Sequence, residues 1–120
     1  MKSSPRVLVV DDQADIVTML QRALSRHGFN IDCTTSPDDA LARADSVAYD
    51  AALVDLVMPG RDGVSVAAGL RERIPGLPVA VMTAYPHSPL LPEVLRVGVT
   101  VFHKPVAVQD LVDFLQSNIP

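Results

Sequence analysis

The feature that most constrains the fold is an alternation of short apolar runs with patterns of helical spacing. A helical pattern follows each run, the first carrying Ile16, Leu20 and Leu24 on one stripe. Strands that alternate with helices are typical of a parallel sheet with helices on both faces. We therefore predict a single α/β domain over residues 1–120, in the order βαβαβαβαβα. The predicted strands are Arg6–Val10, Phe29–Thr34, Ala51–Asp55, Leu77–Met82 and Val99–His103.

Composition excludes several classes of protein. The chain has 120 residues, 48% of them hydrophobic and 20% charged, which is typical of one folded domain. The net charge of −4 argues against direct nucleic-acid binding by this domain. The first residues lack the apolar core of a signal peptide, and no apolar run is long enough to span a membrane. The expectation is a cytoplasmic protein with no membrane contact.

A single carboxylate, Asp55, ends the third apolar run. Pro59 and Gly60 then mark a loop, so Asp55 is predicted to lie at the carboxyl end of an inner strand. In open α/β sheets this is the edge at which ligands bind. Taken alone, an Asp before Pro-Gly is more typical of a residue that begins a surface turn.

Polar residues also follow the other strands, and their side chains are predicted to meet at one edge. Asp11 and Asp12 follow the first strand, Thr83 the fourth and Lys104 the fifth. Each has an ordinary alternative as a helix cap, strand end or turn residue, but together they bring three carboxylates, a hydroxyl and an ammonium group to one place. Clustered carboxylates favour a hard cation such as Mg²⁺. The set suits phosphoryl transfer, with Asp55 as the acceptor.

Four segments resemble the signature regions of the receiver domain of two-component response regulators. They are VLVVDD, VDLVMPGRDG, VMTAY and HKP, in the family's order and with near-family spacing. The resemblance implies a flavodoxin-like sheet of order 2-1-3-4-5, with helices one and five on one face and two to four on the other. It also implies Mg²⁺-dependent phosphorylation of Asp55 by a histidine kinase, a phosphotransfer protein or a small phosphodonor.

The resemblance also assigns metal ligands. It implies that Asp12, Asp55 and the backbone carbonyl of Val57 bind Mg²⁺ directly, whereas Asp11 acts mainly through water. The resemblance thus implies a Mg²⁺ site at these four residues.

Further roles follow from the resemblance for residues around the acceptor. Thr83 and Lys104 are expected to contact phosphoryl oxygens, and the Lys104–Pro105 peptide bond is expected to be cis. Tyr85 is expected at the mouth of the site, where it either hinders attacking water or is simply a solvent-facing loop residue.

The chain departs from the family at the position that reports phosphorylation. The family couples the threonine to an aromatic residue three positions before the lysine, where this chain has Val101. Phe102 is only two positions before it, and the segment from Gly98 to Lys104 is one residue short. Because side chains alternate along a strand, either a shifted strand lets Phe102 serve, or Val101 occupies the switch position and the aromatic relay is absent.

A proline-rich stretch precedes the fourth helix. Three prolines lie in residues 85–92, so this helix is predicted to be short and to begin near Pro92. The family uses the surface of helix 4, strand 5 and helix 5 for dimerisation and output. A homodimer through this face is one expectation. Because both the proline-rich stretch and the altered position of the aromatic residue on strand 5 fall on this face, we also hypothesise an altered output geometry.

Two other functions compete with a phosphorylation-controlled module. A phosphatase or phosphotransferase of the haloacid dehalogenase kind would carry its nucleophile after the first strand, in an Asp-x-Asp pattern that Asp11-Asp12 does not match. A degenerate receiver would act by contact alone, without phosphorylation. The expected protein is not a turnover enzyme, and its chemistry is limited to its own phosphorylation and dephosphorylation.

Overall fold

Five strands and five helices alternate along the described part of the chain, as the apolar pattern predicted. The structure is a computed structural model, and it describes residues 4–85 and 87–120. No helix within these residues has the length and apolar character needed to cross a bilayer. The elements are β1 Arg6–Val10, α1 Ala14–Ser25, β2 Asn30–Thr34, α2 Pro37–Ala44, β3 Ala51–Asp55, α3 Gly63–Arg73, β4 Val79–Thr83, α4 Leu91–Val97, β5 Thr100–His103 and α5 Val108–Asn118.

The strands form one parallel sheet in the order β2-β1-β3-β4-β5, which confirms the predicted topology. All residues of β3 and β4 are buried, and β1 is exposed only at its first residue. The two edge strands are more exposed. The near-continuous apolar runs therefore belong to the inner strands, because helices cover both of their faces.

Each face of the sheet has its own core. On one face, residues of α2, α3 and α4 pack on the sheet, for example Leu41, Leu70 and Val94. On the other face, α1 and α5 pack on the sheet through residues such as Leu24 and Leu115. This arrangement confirms the prediction of helices one and five on one face and two to four on the other.

Helices α2 and α1 begin differently. The Ser36 hydroxyl accepts a hydrogen bond from the Asp39 N–H, as expected of an N-cap residue. The N-cap position of α1 belongs to Gln13, whose side chain makes no capping hydrogen bond, and Asp15 lies in the first turn. Asp12 is thereby left beside the edge of the sheet.

The boundaries of β4 differ from the prediction by two residues at the start and one at the end. The strand runs over Val79–Thr83 because Leu77 still belongs to the turn after α3, where its N–H donates to the Ile74 carbonyl at 3.1 Å. As a result, Thr83 is the last residue of the strand.

Helix α4 is short and begins close to the predicted position. It has seven residues, with Pro92 in its first turn, and it starts at Leu91, one residue earlier than predicted. It ends at Gly98, whose φ of 77° is left-handed, a conformation that glycine adopts without a Cβ penalty.

Candidate phosphoacceptor site

The polar residues that follow the strands meet at one edge of the sheet, where the strands have their carboxyl ends. Asp55 is the last residue of β3 and Thr83 the last of β4, whereas Asp11 and Lys104 directly follow β1 and β5. The Lys104 N–H donates to the Thr83 carbonyl at 2.7 Å, which fixes the end of β5 beside β4. The Lys104–Pro105 peptide bond is cis.

Lys104 joins two of the carboxylates. Its Nζ lies 2.9 Å from Asp11 Oδ2 and 3.3 Å from Asp55 Oδ1. Asp11 is fully buried and Asp55 nearly so. The other carboxylate oxygen of Asp11 accepts a hydrogen bond from the Gln13 N–H at 2.9 Å, so that both of its oxygens have donors.

Burial and charge disfavour the ionised form of Asp55. Burial, followed by the negative charge of Asp11, raises the pKa of Asp55 to about 6, although Lys104 opposes this shift. Burial acts to lower the pKa of Lys104, but its hydrogen bonds and charge interactions with Asp11 and Asp55 outweigh this and leave it raised. One ammonium group thus compensates the carboxylates only in part.

Three carboxylates could share a cation at this edge. One oxygen each of Asp11, Asp12 and Asp55 lies within 4.8 Å of the others, and Asp12 is exposed while the other two are buried. An all-oxygen donor set with an open side suits a hard divalent cation that keeps some of its waters. The donor set present therefore fits Mg²⁺.

A cavity of about 450 Å³ opens over these groups. Asp12, Asp55, Val57, Tyr85 and Lys104 contribute to its walls. The cavity is large enough for a phosphoryl group, and the exposed Val57 and Tyr85 side chains lie at its walls. Tyr85 lines the cavity and is 59% exposed, so both of its expected roles, in hindering water or as a solvent-facing loop residue, stay predictions.

The Thr83 hydroxyl is held in a local turn. It is almost fully buried, accepts a hydrogen bond from the Tyr85 N–H at 2.9 Å and donates to the Tyr85 carbonyl at 3.3 Å. In this structure, therefore, Thr83 is engaged with Tyr85.

The register of β5 places Val101, and not Phe102, on the face of Thr83. Val101 pairs with Val81, two residues before Thr83, and packs on the core beneath α2, α3 and α4. Phe102 points to the other face and makes an edge-to-face contact with Phe114, with ring centroids 5.9 Å apart. Of the two residues that the sequence left open, Val101 lies on the face of Thr83 and Phe102 on the opposite face.

Two residues that support the sheet gave no recognisable signal in the sequence, Gly63 at this edge and Arg71 at the opposite edge, where β4 and β5 begin. Gly63 begins α3 against the main chain of β3: a methyl group there would lie on the Asp55 carbonyl oxygen and 2.8 Å from Leu56 Cα. Arg71 donates from its guanidinium to the carbonyls of Leu77, Val97 and Gly98. Both features depend on contacts between segments that are distant in sequence. The Asp-Gly pair by itself indicates only a helix start.

Comparison with known proteins places the chain in a family. A family model described as the response regulator receiver domain matches residues 7–116. The transcriptional regulatory protein PrrA of Mycobacterium leprae is 43% identical over 82 residues, which are 68% of this chain and 35% of that protein. ResD of Bacillus subtilis is 39% identical over 79 residues, 66% of this chain and 32% of that protein. The aligned part of the chain thus spans about a third of the length of these relatives.

Solved structures have the same fold. The chemotaxis protein CheY4 of Vibrio cholerae superposes with a TM-score of 0.87 at 25% identity, covering 97% of this chain and 99% of that one. A response regulator of Burkholderia pseudomallei, described with a phosphorylated aspartic acid, a calcium ion and citrate, superposes with a TM-score of 0.86 at 27% identity, covering 96% of this chain and 68% of that one. The chain belongs to the family of response regulator receiver domains.

Proposed function

We propose that this chain is a receiver module that accepts a phosphoryl group on Asp55 from a histidine kinase, a phosphotransfer protein or a small phosphodonor. The observation that carries the proposal is the position of the Asp55 carboxylate, which lies 3.3 Å from the Lys104 ammonium and within 4.8 Å of two further carboxylates. A lone turn aspartate would have no such surroundings. The Burkholderia relative with a phosphorylated aspartic acid supports this chemistry.

The metal requirement follows from the donor set. Asp12, Asp55 and the Val57 carbonyl would hold Mg²⁺ directly, with Asp11 acting through water. When bound, the cation would neutralise negative charge on the carboxylates and on the transferred group. The raised pKa of Asp55 supports this requirement, because a buried carboxylate beside Asp11 needs more positive charge than Lys104 supplies.

The residues of the site have distinct roles in the transfer. An ionised oxygen of Asp55 attacks phosphorus, the bond to the donor's nitrogen or oxygen breaks, and the leaving group keeps the electron pair. Lys104 binds an oxygen of the transferred group, since its ammonium already lies against Asp55. The Thr83 hydroxyl donates to another oxygen after leaving its partner Tyr85.

Output requires a surface that changes with phosphorylation. The relatives PrrA and ResD are named transcriptional regulatory proteins, and we propose a comparable regulatory output for a longer protein that contains this chain. A homodimer would form through the surface of α4, β5 and α5, and Leu95 on α4 is 74% exposed. Histidine kinases that act as phosphodonors would place the module in the cytoplasm.

The proposal is tested by incubation with acetyl phosphate and Mg²⁺, followed by intact mass measurement. The wild type is expected to gain the mass of one phosphoryl group, and the gain should disappear with a chelator or in Asp55→Asn. The variant Asp110→Asn, changed at an exposed carboxylate in the first turn of α5, should behave like the wild type. Absence of the gain in the wild type contradicts the proposal and favours a phosphate-independent module. Sustained hydrolysis of phosphate esters would favour the hydrolase instead.

A further inference from the structure

We propose that Arg61 is a positioning residue for the metal site: its ion pair with Asp38 holds the loop between β3 and α3, so that the Val57 carbonyl is presented to Mg²⁺. The inference rests on the metal requirement proposed above. It goes further because it names a residue that sets the affinity for the ion without contacting it.

Both ends of this loop are fixed in the fold. The Leu56 N–H donates to the Met82 carbonyl at 2.8 Å, and the Leu56 carbonyl accepts the Gly63 N–H at 2.7 Å. Asp62 serves as the N-cap residue of α3. The chain is therefore held on either side of residues 57–61.

The middle of the loop, residues 57–61, has much less support. In the part of the chain that the structure describes, no main-chain group of this segment takes part in a hydrogen bond. Met58 is buried in the core, whereas the other four residues are exposed. The Val57 carbonyl is thus available to a cation, and burial of Met58 alone would leave its position poorly fixed.

Arg61 joins this segment to the neighbouring helix. Its Nε lies 3.3 Å from Oδ1 of Asp38, in the first turn of α2. A carboxylate is stabilised at the N-terminal end of a helix, which makes Asp38 a suitable partner. Between Val57 and Arg61 the chain passes through Pro59, whose φ is fixed by its ring, and Gly60, whose φ is 81°. The two residues form a stiff turn, so that restraint of Arg61 also restrains Val57.

The charge of Arg61 has the wrong sign for a residue that attracts a cation. By Coulomb repulsion alone, the guanidinium lowers the affinity for Mg²⁺, and its removal raises the affinity. Positioning of the Val57 carbonyl predicts the opposite, because without the ion pair the segment must be ordered when Mg²⁺ binds, at a cost in conformational entropy. The two effects differ in sign, so one variant separates them.

A second ion pair between the same two parts of the fold supplies a matched control. Arg73 Nε lies 2.9 Å from Asp45 Oδ1, and the pair joins the C-terminal ends of α3 and α2. These ends lie at the edge of the sheet opposite to the acceptor, since the helices run back from it. Asp45→Asn and Asp38→Asn each remove one exposed carboxylate, so they change the net charge equally.

The test is a Mg²⁺ titration of the unphosphorylated protein, followed by NMR shifts of amides around Asp55. In Arg61→Gln, the dissociation constant for Mg²⁺ is expected to rise about two- to fivefold, the effect of losing an exposed ion pair. Asp38→Asn should show a similar rise, and Asp45→Asn should bind as the wild type does. Without Mg²⁺, the ¹⁵N order parameter of the Gly60 amide should fall in Arg61→Gln.

A dissociation constant in Arg61→Gln that equals or falls below that of the wild type overturns the proposal, since it leaves at most a charge effect. Equal rises in Asp38→Asn and Asp45→Asn, or an unchanged order parameter at Gly60, also overturn it. In these cases the proposed function and its metal requirement stand, because the wild type itself binds Mg²⁺. If Mg²⁺ shifts no amide of the wild type, the metal requirement and this proposal both fall.

Discussion

The contact between α3 and β3 makes Gly63 the residue at which a single methyl group should do most damage near the acceptor. Built on the backbone, a Cβ at Gly63 meets the Asp55 carbonyl oxygen, the Asp55 carbonyl carbon at 3.0 Å and Leu56 Cα at 2.8 Å. These are main-chain atoms of a fully buried strand and of the residue after it, so they cannot move aside alone. The Gly63 N–H also donates to the Leu56 carbonyl at 2.7 Å, and this bond holds the close approach.

Overpacking of this kind costs about 1–3 kcal/mol, and contact with main chain places Gly63→Ala near the upper end. Alanine also reduces the conformational entropy of the unfolded chain, which offsets about 0.4–1 kcal/mol of this loss. The expected net loss is about 2 kcal/mol in the free energy of unfolding, or a urea midpoint lower by about 1 M. The rate of phosphorylation by acetyl phosphate should fall as well, since α3 can retreat only by shifting the main chain that carries Asp55.

Gly69→Ala is the matched control. Its Cβ meets the end of the Leu41 side chain, at 2.7 Å from Cδ2, and this side chain can rotate away. Because the position lies inside α3, alanine there gains up to about 1 kcal/mol in helix propensity. We expect stability near or above wild type and unchanged phosphorylation. Equal free energies of unfolding for wild type and Gly63→Ala, or an equal loss in both variants, would show that the contact of Gly63 with β3 is not the cause.

Three further predictions concern individual side chains. With a chelator at pH 7.5, the free energy of unfolding of Asp55→Asn should exceed that of wild type by about 1 kcal/mol, because two pKa units correspond to about 3 kcal/mol and solvent screening reduces this. Since the pKa of Asp55 is raised to about 6, the wild type loses stability as the pH rises from about 4 to 6, and the difference between the two proteins should vanish below pH 4. A difference that stays constant across pH would contradict this prediction. Burial and a hydrogen bond to Asp32 raise the pKa of Tyr49 to about 12, so absorbance titration of the two tyrosines should show a step near pH 12 that Tyr49→Phe removes; persistence of this step in the variant would disprove the assignment. Arg71→Met should lower the free energy of unfolding by about 2 kcal/mol through its lost bonds to three carbonyls, and urea unfolding at wild-type midpoints would show that water replaces them.

The sequence predicted most of the fold because its signals are local. Five apolar runs and the caps at residues such as Ser36 indicate strands and helices through burial and hydrogen bonding within a few residues. The candidate site was predictable for the same reason, since polar residues that end parallel strands must share an edge.

What the sequence could not provide depends on contacts between distant segments. The start of β4 was placed too early because the apolar run continues into Leu77, whose N–H is taken by the turn after α3. The choice between Val101 and Phe102 needed the register of β5 on β4, and a one-residue difference reverses the face. The engagement of Thr83 with Tyr85 is equally invisible in a sequence, because a threonine at a strand end has several possible partners.

Phosphorylation of Asp55 is tested most directly by locating the phosphoryl group. An acyl phosphate formed with acetyl phosphate and Mg²⁺ can be trapped by reduction with borohydride, which converts the modified aspartate to homoserine, and then mapped by peptide mass spectrometry. We expect homoserine at Asp55, dependent on Mg²⁺ and greatly reduced in Asp12→Asn, which removes a proposed ligand. Homoserine at Asp11 or Asp12 in place of Asp55, or none at any of the three, would contradict this expectation.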